Sequence, residues 1–186
     1  LFLLEGIKLF EEALKSGVCL TNVFATERVY ERCKKMAPEI EIIEVSESVY
    51  EKISTEKSPE GVICVAKYID KIHNINKIYN KEEFAESEKR VIILSSLRDP
   101  GNLGTVIRSA SAFGVDEIIM SSDCADIYNP KTVRAAMGTL FSQSISYVPD
   151  LASTVKEMNA GGYTTLAAVL DEKARSLSDV QIGRKT

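Results

Sequence analysis

The run Asp99-Pro100-Gly101-Asn102-Leu103-Gly104-Thr105-Val106-Ile107-Arg108 gathers the residues best suited to chemistry. Pro100-Gly101 makes a turn, Asn102 is suited to cap a helix, and Gly104 keeps the first helical turn slim enough for another backbone or a ligand to approach. A helix starting there offers free N–H groups to a phosphate. Thr105 and Arg108 lie three residues apart on one helix face next to that end. Such a set can bind an anion or stabilise one that develops during a reaction. The same residues read equally well as a strand–loop–helix corner with an Asn cap and a solvent-facing Arg. The G-x-x-G spacing matches neither a dinucleotide fingerprint nor a Walker loop.

Other chemistries find little support. The four cysteines, Cys19, Cys33, Cys64 and Cys124, form no CxxC pair, and His73 is the single histidine. Zinc favours clustered Cys and His, so no metal site is expected. A Ser-His-Asp or Cys-His mechanism lacks a good candidate base. Cys64 sits in an apolar run and reads as a small buried hydrophobe. Thiols without a disulfide framework suggest a reducing cytoplasm. The apolar runs are far too short to span a bilayer, so no membrane is expected. The apolar start meets Glu5 at once and lacks a basic leader, so it does not read as a signal peptide. The net charge is −4, with nine Lys/Arg against thirteen Asp/Glu in residues 1–70 and nine against ten in residues 91–186. Broad electrostatic binding of nucleic acid is disfavoured, and any such contact must come from local clusters, with the second half the better place for them than the first.

The elements that must position the run follow from periodicity. Gly6–Ser16 carries a helical apolar face, with Gly17 as a natural C-terminal stop. Asn22–Ala25 reads as a strand, Glu27–Lys35 as a helix capped by Thr26, Glu39–Val45 as a strand, and Ser48–Glu51 as a capping box. A turn at Ser58–Gly61 leads to a buried strand, Val62–Ala66. Ile69–Arg90 is polar, with a short helix near Glu82–Glu86; His73 belongs to it. Then Val91–Leu94, Asp116–Ser121, Ser142–Val148 and Tyr163–Val169 read as strands. They alternate with helices over Asn102–Phe113, from Asn129-Pro130 to Gly138, and over Leu151–Asn159. This alternation implies a parallel sheet covered by helices. The fold class is therefore α/β, divided into residues 1–70, a linker over 71–90, and residues 91–186.

The segment DPGNLGTVIRSASAFG, Asp99 to Gly114, closely resembles the first signature motif of SpoU-type (TrmH-like) RNA 2′-O-ribose methyltransferases. Asn129-Pro130-Lys131-Thr132-Val133-Arg134-Ala135-Ala136-Met137-Gly138 resembles the helix that follows in that family. Phe2–Gly6 and Ser54–Gly61 resemble its N-terminal substrate-binding domain, itself similar to a small ribosomal RNA-binding protein. The resemblance covers nearly the whole chain.

The resemblance implies a parallel α/β-knot domain that transfers methyl from S-adenosylmethionine to a ribose 2′-hydroxyl. The RNA partner is ribosomal RNA in preference to transfer RNA, and the assembly is a homodimer. It gives catalytic work to Arg108 and a supporting role to Asn102. Arg98, Lys131 and Arg134, which flank the same edge, become candidates for RNA phosphate contacts. Two further family motifs, an Asn-Glu-Gly loop and a Pro-…-Ser-Leu-Asn segment, do not occur in this sequence. The knot is thus expected to be incomplete here, with most walls of the donor site missing and no activity from this fragment alone. Ala168 and Leu170 read either as a remnant of the adenine-side wall or as part of a plain core strand. Two other readings stand beside the enzyme: a non-catalytic RNA-binding or scaffolding protein of the same fold, and an unrelated α/β enzyme holding a phosphate ligand at Gly101–Gly104.

Overall fold

The computed structural model describes residues 1–69 and 77–186; His73 lies outside the described residues. The first sheet is mixed. Its strands are β1 (Phe2–Glu5), β2 (Leu20–Thr26), β3 (Ile42–Val45) and β4 (Val62–Ala66), in the order β1-β4-β2-β3. β4 runs antiparallel to both neighbours, whereas β2 and β3 are parallel. Helices α1 (Ile7–Lys15), α2 (Glu27–Met36) and α3 (Glu47–Ile53) complete this part. Helix α1 buries Ile7, Leu9, Phe10 and Ala13, the face its periodicity predicts.

Several boundaries differ from expectation. β1 has no counterpart among the strands expected from periodicity; its four residues are too few to show a period. Ser46, not Ser48, caps α3, accepting from the Val49 N–H. Thr26 stands at the start of α2, but its hydroxyl makes no cap bond and is buried without a hydrogen-bond partner among the described residues. The strand predicted over Glu39–Val45 shrinks to β3, because a turn closed by the Ile40 N–H and the Ala37 carbonyl occupies its start.

The second sheet is wholly parallel, in the order β5-β6-β7: Val91–Leu94, Glu117–Ser121 and Ser144–Val148. It is preceded by α4 (Lys81–Glu86), which opens with a capping box between Asn80 and Glu83. Its other helices are α5 (Pro100–Ala112), α6 (Pro130–Ala136) and α7 (Leu151–Ala160). Buried Glu117 anchors the segment before β5. Tyr79 and Ser146 donate hydroxyls to its carboxylate and Lys89 donates an ammonium at 3.1 Å. Burial alone would raise this carboxyl, but those three donors outweigh it and hold the group below its ordinary value.

Residues 163–169 do not form the expected strand. Tyr163 is buried, its hydroxyl bonded to the Ser87 hydroxyl and to the Lys89 N–H, but residues 164–170 are exposed and make no ladder. Among the described residues the one backbone bond of this run is from the Thr164 N–H to the Lys185 carbonyl, so the run has no ladder partners to hold it as a strand.

The two sheets share one hydrophobic core. It runs from Phe2, Leu4 and Phe10 through Val133, Ala136 and Leu140 to Ile107 and Ile118. Helix α6 lies in the middle, touching β1 on one side and α5 on the other. Among the described residues no helix is long and apolar enough to cross a membrane.

Candidate functional site

The candidate site lies at the carboxyl edge of the parallel sheet, where ligands bind in α/β proteins. Two loops meet there, one between β5 and α5 and one between β6 and α6. Asp123 ties them together. It accepts from the Ser96 and Ser121 hydroxyls, each at 2.6 Å, and pairs with Arg98 at 3.4 Å. Those donors push its carboxyl down to about 2. Ser96 adopts φ 54°, a left-handed conformation that costs energy for a side chain with a Cβ. It is held there by its N–H donating to Ser121 at 2.9 Å. Leu97 accepts from the Ala125 N–H and so closes the seam.

Helix α5 starts at Pro100, two residues before the predicted start at Asn102, and Asp99 is its cap. The Asp99 carboxylate accepts from the Asn102 N–H at 2.7 Å, and its other oxygen meets Lys131 Nζ at 3.1 Å. These bonds hold the Asp99 carboxyl below its usual range, the Asn102 N–H most of all. The expectation of free N–H groups is therefore corrected: Pro100 has none, and Asp99 takes what a phosphate would have used. An Asp directly before Pro at the first helical position is a signal that could have revealed this.

Gly104 serves close packing. A Cβ there would sit 2.4 Å from the Thr132 carbonyl oxygen and 2.6 Å from Ala135 Cβ. Of the two roles expected of this glycine, approach of another backbone is the one observed, and that backbone is α6. Asn102, Thr105 and Arg108 are exposed along α5. Thr105 donates its hydroxyl back to the Gly101 carbonyl at 2.9 Å. Among the described residues Arg108 makes no hydrogen bond or ion pair.

The structure places Arg98, Asn102 and Lys131 at the N-terminal end of α5 and its flanking loops, and Arg108 about 9 Å farther along the same helix than Asn102. Arg134 points elsewhere, toward residues 55 and 56 of the first part of the chain. Ala168 and Leu170 stand exposed in the segment that forms no strand, and wall off no cavity with other described residues. Among the described residues no three His, Cys, Asp or Glu side chains gather in a way that could hold a metal ion. Sequence reasoning misses Asp123 and the capping role of Asp99 in this region, and it misses Thr55 and Glu56 as the partners of Arg134.

A three-stranded parallel sheet with cations on the loops and helix that follow its carboxyl edge, fused through a shared core to a four-stranded mixed sheet, defines a two-part α/β protein. Residues 89–186 match the SpoU rRNA Methylase family, and residues 1–64 match the MRM3-like substrate binding domain. The chain belongs to the SpoU rRNA methylase family. It is 28% identical to the 23S rRNA (guanosine(2553)-2′-O)-methyltransferase RlmP of Bacillus subtilis, covering 93% of this chain and 64% of that protein. It is 31% identical to human rRNA methyltransferase 3, mitochondrial, over 77% of this chain and 34% of the relative. The chain thus spans between about a third and two-thirds of the length of these relatives. Among solved structures, an RNA 2′-O ribose methyltransferase superposes with a TM-score of 0.68 at 25% identity, over 87% of this chain and 60% of its own. An AdoMet-bound rRNA methyltransferase from Sinorhizobium meliloti superposes at 0.64 and 27% identity, over 86% and 58%.

Proposed function

We propose that this chain forms the RNA-facing part of an enzyme that transfers a methyl group from S-adenosylmethionine to a ribose 2′-hydroxyl of ribosomal RNA. The observation that carries the reading is Arg108: an exposed cation on α5 without an internal partner among the described residues, within the family's first motif. Relatives named as rRNA 2′-O-methyltransferases support the reaction, and an AdoMet-bound neighbour supports the donor. The described residues do not themselves fit a donor pocket, because Ala168 and Leu170 are exposed and enclose nothing. The chemistry carried by these residues therefore lies on the RNA side.

Guanidinium stays protonated in proteins, so Arg108 does not take the proton from the hydroxyl. It binds a phosphate beside the target ribose and stabilises the oxygen as the hydroxyl proton leaves to solvent, the O–CH3 bond forms and the donor's S–CH3 bond breaks to release S-adenosylhomocysteine. Asn102, nearly two turns earlier on the same helix, helps hold the nucleotide. Arg98 and Lys131 belong to solvent-exposed ion pairs, which contribute little in water and are readily exchanged for a phosphate. The exposed end of α5, with Ala112 and Phe113, suits a second copy of the chain, in keeping with a homodimer. Four free thiols fit the reducing cytoplasm.

The test uses the full-length gene product, ribosomal RNA and donor carrying a labelled methyl group. Label is expected on a ribose oxygen, protecting the adjoining phosphodiester from alkali. Arg108→Ala should lower the rate about 10²–10³-fold, the usual cost of one oxyanion donor, and Arg108→Lys should keep a substantial part of it. Label on a base, or no label, overturns the activity. RNA binding without transfer assigns the scaffold role instead.

A further inference from the structure

Arg134 stands on α6, yet its guanidinium leaves the sheet edge and reaches the loop between α3 and β4. Its Nε lies 2.5 Å from Glu56 Oε1, an ion pair without hydrogen-bond alignment, and its Nη2 donates to the Thr55 hydroxyl oxygen at 3.4 Å. Unlike the pairs of Arg98 and Lys131, this one is half-buried: the Glu56 side chain is only 14% exposed. Burial pushes the Glu56 carboxyl up, and Arg134 acts against that push. Thr55 donates both its hydroxyl and its N–H to buried Glu5 at the end of β1, and the Ser54 hydroxyl donates to the same carboxylate at 2.8 Å. One connected set of polar groups therefore joins β1, the loop at 54–56 and α6.

Packing around it leaves little slack. Gly138, just after α6, has φ 88°, and a Cβ there would lie 2.7 Å from Glu12 Cβ of α1. On its other side α6 meets Gly104 of α5 at backbone distance. Any rotation of the first sheet about α6 would break the Arg134 set or push on α5, the helix that carries Arg108.

We propose that Arg134 is a positioning residue: through Glu56 and Thr55 it fixes the first sheet at one angle to α6, and so sets where RNA held by that sheet falls relative to Arg108. This rests on the reading above that the chain acts on RNA. The alternative role for Arg134, a direct phosphate contact, makes opposite predictions.

The test is a charge swap in the full-length gene product, read by affinity for a ribosomal RNA fragment and by methyl transfer. Arg134→Glu and Glu56→Arg should each weaken RNA binding or raise KM by roughly tenfold, the size of coupling usual between contacting residues. The double variant Arg134→Glu/Glu56→Arg should recover most of the loss. Arg134→Lys should rescue in part, and Arg134→Ala should leave the dependence of log K on log salt unchanged. If the single swaps unfold the protein, Glu56→Gln removes the charge at constant shape, and faster hydrogen exchange at residues 54–56 with weakened RNA binding is expected. A direct contact instead predicts no rescue by the swap, tighter RNA binding by Glu56→Arg, and a salt slope smaller by about one in Arg134→Ala; any of these overturns the proposal. Wild-type protein that binds RNA without transferring methyl sinks the proposed activity, whereas the swap is still read in the binding assay.

Discussion

Gly104→Ala separates two opposing effects at one position. Within a helix, alanine is favoured over glycine by about 1 kcal/mol, so propensity alone predicts a more stable protein. The structure predicts the reverse. The new Cβ would approach the Thr132 carbonyl oxygen to 2.4 Å, Ala135 Cβ to 2.6 Å and the Ala136 nitrogen to 3.0 Å. Two of these three atoms are backbone and cannot rotate away, so α5 and α6 must part by about 1 Å to restore ordinary contact. Overpacking of this kind costs about 1–3 kcal/mol, and the rigid neighbours place it in the upper half of that range. Net of the propensity gain, the variant should lose about 1–2 kcal/mol. For a chain of this size that lowers Tm by about 2–8 °C in a calorimetric or circular-dichroism melt. Methyl transfer should fall as well, because the displaced helix carries Arg108. A variant that melts at or above the wild-type temperature would refute the close-approach argument and return Gly104 to a position governed by propensity.

Substitutions at two further positions test the groups that hold the second sheet and its helices together. Asp99→Ala removes the α5 cap and the partner of Lys131, and should lower Tm by about 2–4 °C; Asp99→Asn, which can still accept from the Asn102 N–H, should lose less, and equal losses in thermal melts would deny Asp99 its capping role. Glu117 has a depressed folded-state pKa, so the stability it contributes is present above the ordinary glutamate value of about 4.3 and is lost as pH falls through the folded value. Wild-type stability in urea should therefore drop more steeply below about pH 4.3 than that of Glu117→Gln, and parallel curves would show that the Tyr79, Ser146 and Lys89 donors do not favour the charged form.

Much of the scaffold is legible in the sequence because it is local. The apolar face of α1, Gly17 and Gly114 with positive φ after their helices, and the Asn129-Pro130 start of α6 all follow from neighbours within one or two turns. Strict alternation of strands and helices after Val91 is enough to foresee a parallel sheet. What escapes is whatever depends on distant partners. The Tyr163–Val169 run has strand-like residues, but a strand needs ladder partners, and among the described residues the run pairs with none of β5–β7. Arg134 sits in a helix that resembles a family motif, so sequence groups it with Arg98 and Lys131. Only the fold brings Glu56 to its guanidinium. Asn102 looks like a cap because it is an Asn before an apolar run, yet Asp99 wins the position, since Pro at the next residue already fits the first helical turn.

The charge balance of this edge bears on how an acidic chain could act on a polyanion. Of the four arginines and lysines assigned to it from sequence, three already face a carboxylate: Arg98 faces Asp123, Lys131 faces Asp99 and Arg134 faces Glu56. Generic affinity for RNA comes from counterions released as free cations meet phosphates. A cation already matched by a fixed carboxylate gives little of that, so an arbitrarily placed phosphate gains almost nothing here. A phosphate held in register by the rest of the RNA can displace Asp123 or Asp99, because both pairs are exposed and weak. It can also reach Arg108, which has no competitor among the described residues. In the proposed reading, self-neutralisation therefore acts as a filter: it suppresses indiscriminate binding and leaves an unpaired charge at the point where a developing oxyanion would need it.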